Sequence, residues 1–137
     1  MRMHKLKSLL LLPLLAAATF ALAADSEPQL YFIAPLDGAV VEGPVKVVFG
    51  LKNMGVAPAG VEREGTGHHH LLIDTDLSAL GKPVPSDEHH RHFGGGQTET
   101  VIELEPGEHT LQLLLGDHNH VPHDPPIVSE KITITVK

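Results

Sequence analysis

Beyond residue 28 the dominant pattern is alternation of apolar and polar positions with a period of two, the spacing at which successive side chains point to opposite faces of an extended strand. Gln29 to Ala34 is a first predicted strand, closed by Pro35 and the turn Leu36-Asp37-Gly38. Val45, Val47, Phe49 and Leu51 then alternate with Lys46, Val48 and Gly50 in a half-buried second strand. Met54 to Gly67 reads as a loop, and His68 to Asp74 as a third strand. The connection from Thr75 to Gly96 holds at most one helical turn around Asp76 to Leu80 or a short edge strand, and a connection of that length is usually functional or disordered. Glu99 to Leu104 and His109 to Gly116 flank Glu105-Pro106-Gly107-Glu108, which reads as a hairpin turn, and Ile132, Ile134 and Val136 alternate with threonines in a last strand. No segment carries a helical period. The expected fold is therefore all-β, a single immunoglobulin-like or cupredoxin-like Greek-key β-sandwich of about seven strands.

The first residues break this pattern. Arg2, Lys5 and Lys7, the apolar run Leu9 to Leu15 with its following alanines, and the small-residue site Ala21-Leu22-Ala23 form a tripartite export signal. The apolar stretch is too short for a membrane span, so no anchor is expected after cleavage. Residues 1–23 are thus assigned to the signal, 24–29 to a linker and 30–137 to a histidine-rich β-sandwich, with the periplasm or the exterior as destination. Loss of Arg2, Lys5 and Lys7 leaves seven basic residues against seventeen acidic ones, a net charge of −10 with neutral histidines. That balance disfavours nucleic acid as a partner and suits cations.

Candidate chemistry comes from histidine. Ten of the eleven histidines lie beyond residue 67, nine of them in three clusters: His68, His69 and His70; His89, His90 and His92; His118, His120 and His123. Each cluster contains a His-x-His pair, and on a strand residues two apart share a face and can chelate one ion. If the third strand runs antiparallel to the second strand of the expected hairpin, all three clusters meet at one pole. The chain has no cysteine, and Met54 is the only methionine outside the signal segment, so soft-sulfur sites have no donors. Imidazole with optional carboxylate suits Cu(II), Zn(II) or Ni(II), and the expected ion is Cu(II) or Zn(II).

His68 and His70 are the same-face pair on the third strand, with His69 opposite. His120, with His118 or His123, joins them from a loop stiffened by Pro122, Pro125 and Pro126; His90 and His92 complete that site or form a second one. The candidate metal ligands are therefore His68, His70, His90, His92, His118, His120 and His123. His109 stands alone and reads as structural, and His89 as solvent-exposed. Asp74, Asp117 and Asp124 are candidates to hold a ligand histidine by its second nitrogen, the usual outer-shell arrangement, or alternatively to serve turns and strand ends. Gly94-Gly95-Gly96 reads as a hinge bringing the middle cluster to the others.

The segments Gly67-His68-His69-His70-Leu71-Leu72-Ile73-Asp74, Gly96-Gln97-Thr98, Pro106-Gly107 with His109-Thr110-Leu111, Asp117 with His120, and Pro125-Pro126 together resemble an uncharacterised bacterial family of exported domains known only as a domain of unknown function. A looser similarity is to the periplasmic copper-resistance carriers, small β-sandwiches that bind Cu(II) through histidines, although this chain lacks their amino-terminal histidine and methionine-rich segments. Three functions fit these observations. The first is a non-catalytic periplasmic binding module for a divalent metal. The second is an interaction or structural domain of the envelope, with a protein partner and a pH-responsive histidine surface. The third is a metal-dependent enzyme, which needs an open coordination position and a nearby acid or base such as Glu88 or Glu99. The first is the expectation, and the chain is not expected to be an enzyme.

Overall fold

The computed structural model describes residues 26–137; the export signal and cleavage site expected from the sequence lie outside the described residues. Nine strands follow one another among the described residues: β1 (Gln29–Ala34), β2 (Val40–Val41), β3 (Val45–Lys52), β4 (Gly55–Val56), β5 (Thr66–Ile73), β6 (His90–His92), β7 (Glu99–Ile102), β8 (Gly107–Gly116) and β9 (Ile132–Val136). They form two sheets. One is β1-β3-β7, antiparallel throughout; the other runs β2-β9-β8-β5-β4, with β6 also on β5. No helix among the described residues is long and apolar enough to cross a membrane.

Alternation explains the core between the sheets. Val45, Val47 and Phe49 project from β3, Leu71 and Ile73 from β5, Leu111, Leu113 and Leu115 from β8, and Ile132, Ile134 and Val136 from β9, forming one continuous cluster. The fold is an all-β sandwich as the sequence pattern predicts.

One local expectation is corrected. Glu105 to Glu108 is not a hairpin turn, because β7 pairs with β3 in one sheet while β8 pairs with β5 and β9 in the other. The segment is a corner at which the chain changes sheets, and its turn residues are equally suited to that task. Of the two readings of the Thr75 to Gly96 connection the short edge strand holds, as β6, and Asp76 to Leu80 form no helical turn.

β5 is the strand that positions the site. It is flanked by β8 on one side and by β4 and β6 on the other, and Gly67 to Ile73 are all buried. His69, Leu71 and Ile73 face the inter-sheet core. His68, His70 and Leu72 face away from it, onto an outer surface where Val84, Leu114 and Val128 pack with Leu72 to form a second, smaller cluster. A strand covered on both faces carries a continuous non-charged run rather than an alternating one. The run from His68 to Ile73 has that character.

Candidate metal centre

The outer face of β5 carries His68 and His70, two residues apart and almost fully buried (0% and 1% exposed). β6 then adds a ligand by register: His92 lies directly opposite His70, and His90 opposite Leu72. Directly paired residues share a face, so His92 joins the first two from the edge. The fourth comes from the return after β8. β5 and β8 pair antiparallel with His68 opposite Gly116, which places the residues after Gly116 beside the start of β5.

That return is tied down by Asp117. Its Oδ1 accepts the backbone N–H groups of Asn119 (2.8 Å) and Val121 (2.9 Å). The Asp117 N–H donates to the Val121 carbonyl at 2.8 Å, and the His120 N–H to the Asp117 carbonyl at 3.0 Å. Within this loop His120 adopts a left-handed backbone with φ of 64°, a conformation uncommon outside glycine, asparagine, aspartate and histidine. Residues held this way cluster at functional sites because the surrounding bonds over-determine them. Burial alone would raise the Asp117 carboxyl, but the backbone donors from Val121 and Asn119, with His118 and His123 nearby, outweigh it and hold the carboxyl below its usual range.

His68, His70, His92 and His120 together offer four ligand atoms that lie within 4.8 Å of one another. His68 Nε2 is 2.9 Å from His120 Nδ1 and 3.2 Å from His92 Nε2. The rings of His68 and His70 are 4.7 Å apart between centroids, and those of His92 and His120 4.4 Å. Donors about 2.0–2.1 Å from a tetrahedral ion lie roughly 3.3 Å apart, and trans donors of a square-planar ion roughly 4 Å. Four nitrogens within 4.8 Å of one another are close to those spacings, so the group is geometrically able to hold a metal ion.

Electrostatics favour the ligand form. Burial is the main reason that the His68 pKa falls to about 4, with His120 and His92 close by adding to it. Burial, and then His68, His92 and His120, bring His70 to about 3. Burial followed by His120 also lowers His92. These imidazoles are neutral at neutral pH and keep a lone pair for a cation. Nδ1 of His68 and of His70 is buried without a hydrogen-bond partner, so their alignment comes from packing rather than from an outer shell of carboxylates.

Two glycines make the packing possible. A Cβ on Gly94 would stand 2.6 Å from Cε1 of His92, and a Cβ on Gly116 would stand 2.6 Å from Cε1 of His70. Gly94 therefore admits the His92 ring, so the glycine triplet contributes close packing and, at Gly96 with φ of 86°, a tight turn.

The structure thus brings together one or two members of each histidine cluster and places the others elsewhere. His90 is buried on β6 with Nδ1 2.7 Å from Asp87 Oδ1. His118 lies with Nε2 2.8 Å from the Asn119 amide. His123 packs with Nε2 against Gly67, and burial lowers its pKa. His69 faces the core, 5.0 Å from the Phe49 ring, and burial lowers it to about 4; the Gln97 backbone offsets a little of that, although neither ring nitrogen completes a hydrogen bond of ordinary geometry. His89 is exposed, its Nδ1 2.9 Å from the Ile73 carbonyl. His109 is structural: Nδ1 meets Asp74 Oδ2 and Nε2 the Glu105 carbonyl, each at 2.7 Å, and the Asp74 bond raises its pKa.

Among the carboxylates, Asp74 serves His109, Asp117 serves the loop backbone, and Asp124 is exposed before Pro125. A carboxylate within hydrogen-bond distance of a cluster histidine is Asp87, on His90. Its signal was available three residues upstream in Asp87-Glu88-His89-His90, where a turn folds the aspartate back onto the strand.

These features define an all-β sandwich with a four-histidine centre, two of its rings buried, on the outer face of its larger sheet. The chain belongs to the family described as Domain of unknown function (DUF4399), whose model matches residues 47–137 and so takes in all four of these histidines. Neither the curated proteins nor the solved structures compared with the chain gave a match.

Proposed function

We propose that this protein is an exported, non-catalytic binding module that takes up one divalent transition-metal ion through His68, His70, His92 and His120 and carries or buffers it outside the cytoplasm. The observation that supports this reading most directly is the convergence of four imidazole nitrogens within 4.8 Å on a buried strand face. Burying the polar rings of His68 and His70 is costly unless their polar atoms gain a partner. An ion supplies that partner, with His92 and His120 closing over it from the rim. Cu(II) stands ahead of Zn(II) in affinity for such all-nitrogen donors, and the chain offers no cysteine to favour Cu(I).

Burial also weighs against the alternative of a solvated, pH-responsive surface, because His68 and His70 are 0% and 1% exposed. A binding role rather than catalysis is favoured by the disposition of the acids. Glu88 is paired with His89 at 3.7 Å, Glu99 with Lys46 at 3.7 Å on the other sheet, and Asp117 is engaged with the loop backbone.

The test is a titration of the tag-free protein with Cu(II) and Zn(II) at neutral pH against a competing chelator. Saturation at one ion, much tighter than for the urea-unfolded chain, is the expected result. Equal affinity of the folded and unfolded chains would sink the reading.

A further inference from the structure

The four histidines do not surround their common centre on every side. His68 and His70 form its buried floor, whereas His92 is exposed and His120 partly so, and these two form a rim. Against this rim lies a cavity of about 220 Å³ lined by His70, Val84, Pro85, Ser86, His92 and His120. Three of the four candidate ligands line it, so an ion held by their nitrogens presents a coordination face to the cavity.

The opposite wall is fixed in place. Val84 packs on Leu72 and Leu114, and its N–H donates to the His120 carbonyl at 2.8 Å, so the wall and a ligand-bearing loop are tied together. The lining combines two apolar side chains with one hydroxyl, on Ser86. Its size exceeds the roughly 30 Å³ of a single water and falls short of the about 300 Å³ at which pockets for drug-sized ligands begin.

Resting on the metal-binding reading above, we propose that this cavity is an exogenous-ligand site, a position on the bound ion for a small nitrogen- or oxygen-donor molecule of a few heavy atoms. Cu(II) held by four imidazoles accepts a further donor without losing one. The incoming donor forms a bond to the ion from the cavity, and a rim histidine, His92 or His120, leaves only afterwards with its lone pair. No electron changes hands. Such associative exchange provides a route for loading and removing an ion whose floor ligands, His68 and His70, are buried on the outer face of β5.

The experiment uses tag-free protein loaded with one equivalent of Cu(II), with copper retention measured first and azide then added as the probe. The expected result is a new, saturable azide-to-copper absorption at one azide per copper. Ser86→Phe directs a ring at the cavity from an exposed loop position. It should keep one copper while azide affinity falls about tenfold or more, and Ser86→Leu should fall between it and the parent. One copper retained with no azide absorption, or azide affinities unrelated to the size of residue 86, overturns the site while leaving the metal reading intact. Failure to retain copper at all overturns both, and the first measurement distinguishes the two cases.

Discussion

Individual side chains divide the histidines into those that face a shared centre and those that satisfy local bonds. On the proposed reading, His92→Ala or His120→Ala should each weaken metal binding about tenfold or more, since each removes one nitrogen donor, while His118→Ala should leave it within a factor of about two. Chelator competition on the three variants checks this ordering; equal losses in all three would place the site elsewhere. His109 belongs to the second class. Asp74 holds it from the strand end, with a left-handed φ of 53°, and also accepts the Thr110 N–H at 2.8 Å. Asp74→Ala should cost about 1–3 kcal/mol in urea unfolding by leaving those donors unpaired, with metal stoichiometry unchanged. His109 has a raised folded pKa, so its bond to Asp74 adds stability that is fully present below the unfolded value and is lost as pH rises through the folded one.

Elements decide which residues meet. β6 is three residues long, yet it delivers His92 because it pairs with β5 in a register that sets His92 opposite His70. A slip of one residue would turn Arg91 onto that face instead. Gly94 and Gly116 permit this meeting by leaving room for the His92 and His70 rings. Gly116→Ala should therefore be more damaging than an ordinary glycine replacement, because the buried His70 ring cannot swing away freely. A stability loss of about 1–3 kcal/mol, accompanied by weaker metal binding, is expected. Gly43→Ala, where an added Cβ meets nothing within 4 Å, is the control for backbone strain alone. Thermal unfolding and copper titration of the pair separate crowding from strain.

At the scale of the whole molecule, three histidines buried side by side on β5 make folding sensitive to acid. His68, His69 and His70 have folded pKa values of about 4, 4 and 3, below their ordinary 6.5. Between these limits the unfolded chain binds protons that the folded one refuses. Metal-free stability is therefore fully present above about pH 6.5 and is lost as pH falls toward 4 and 3. The loss is on the order of several kcal/mol, a large share of the roughly 5–15 kcal/mol available to a domain. Urea unfolding at a series of pH values checks the window, and a flat profile would show that these rings are not buried in solution. Metal should act in the opposite direction. Free ion at about a thousand times its dissociation constant adds roughly 4 kcal/mol at neutral pH, visible as a rise in melting temperature that chelator reverses.

Much of this was written locally. The alternation in Gln29 to Ala34 and Val45 to Leu51, and the apolar runs Leu71-Leu72-Ile73 and Leu113-Leu114-Leu115, specify strands because the burial pattern of a strand is a property of the chain itself. The His-x-His pairs likewise place His68 with His70 on one face wherever the strand goes. The hairpin expected at Glu105 to Glu108 shows the limit of that logic, since turn residues permit a reversal but do not choose the sheet that the next strand joins. Which histidine of each later cluster reaches the centre was a tertiary decision in the same sense. It required the β5–β6 register to select His92 over His90, the Asp117 loop to turn His120 inward, and Gly94 and Gly116 to open room for the rings. Those choices depend on contacts between residues far apart in the chain, where packing rather than local propensity sets the energy.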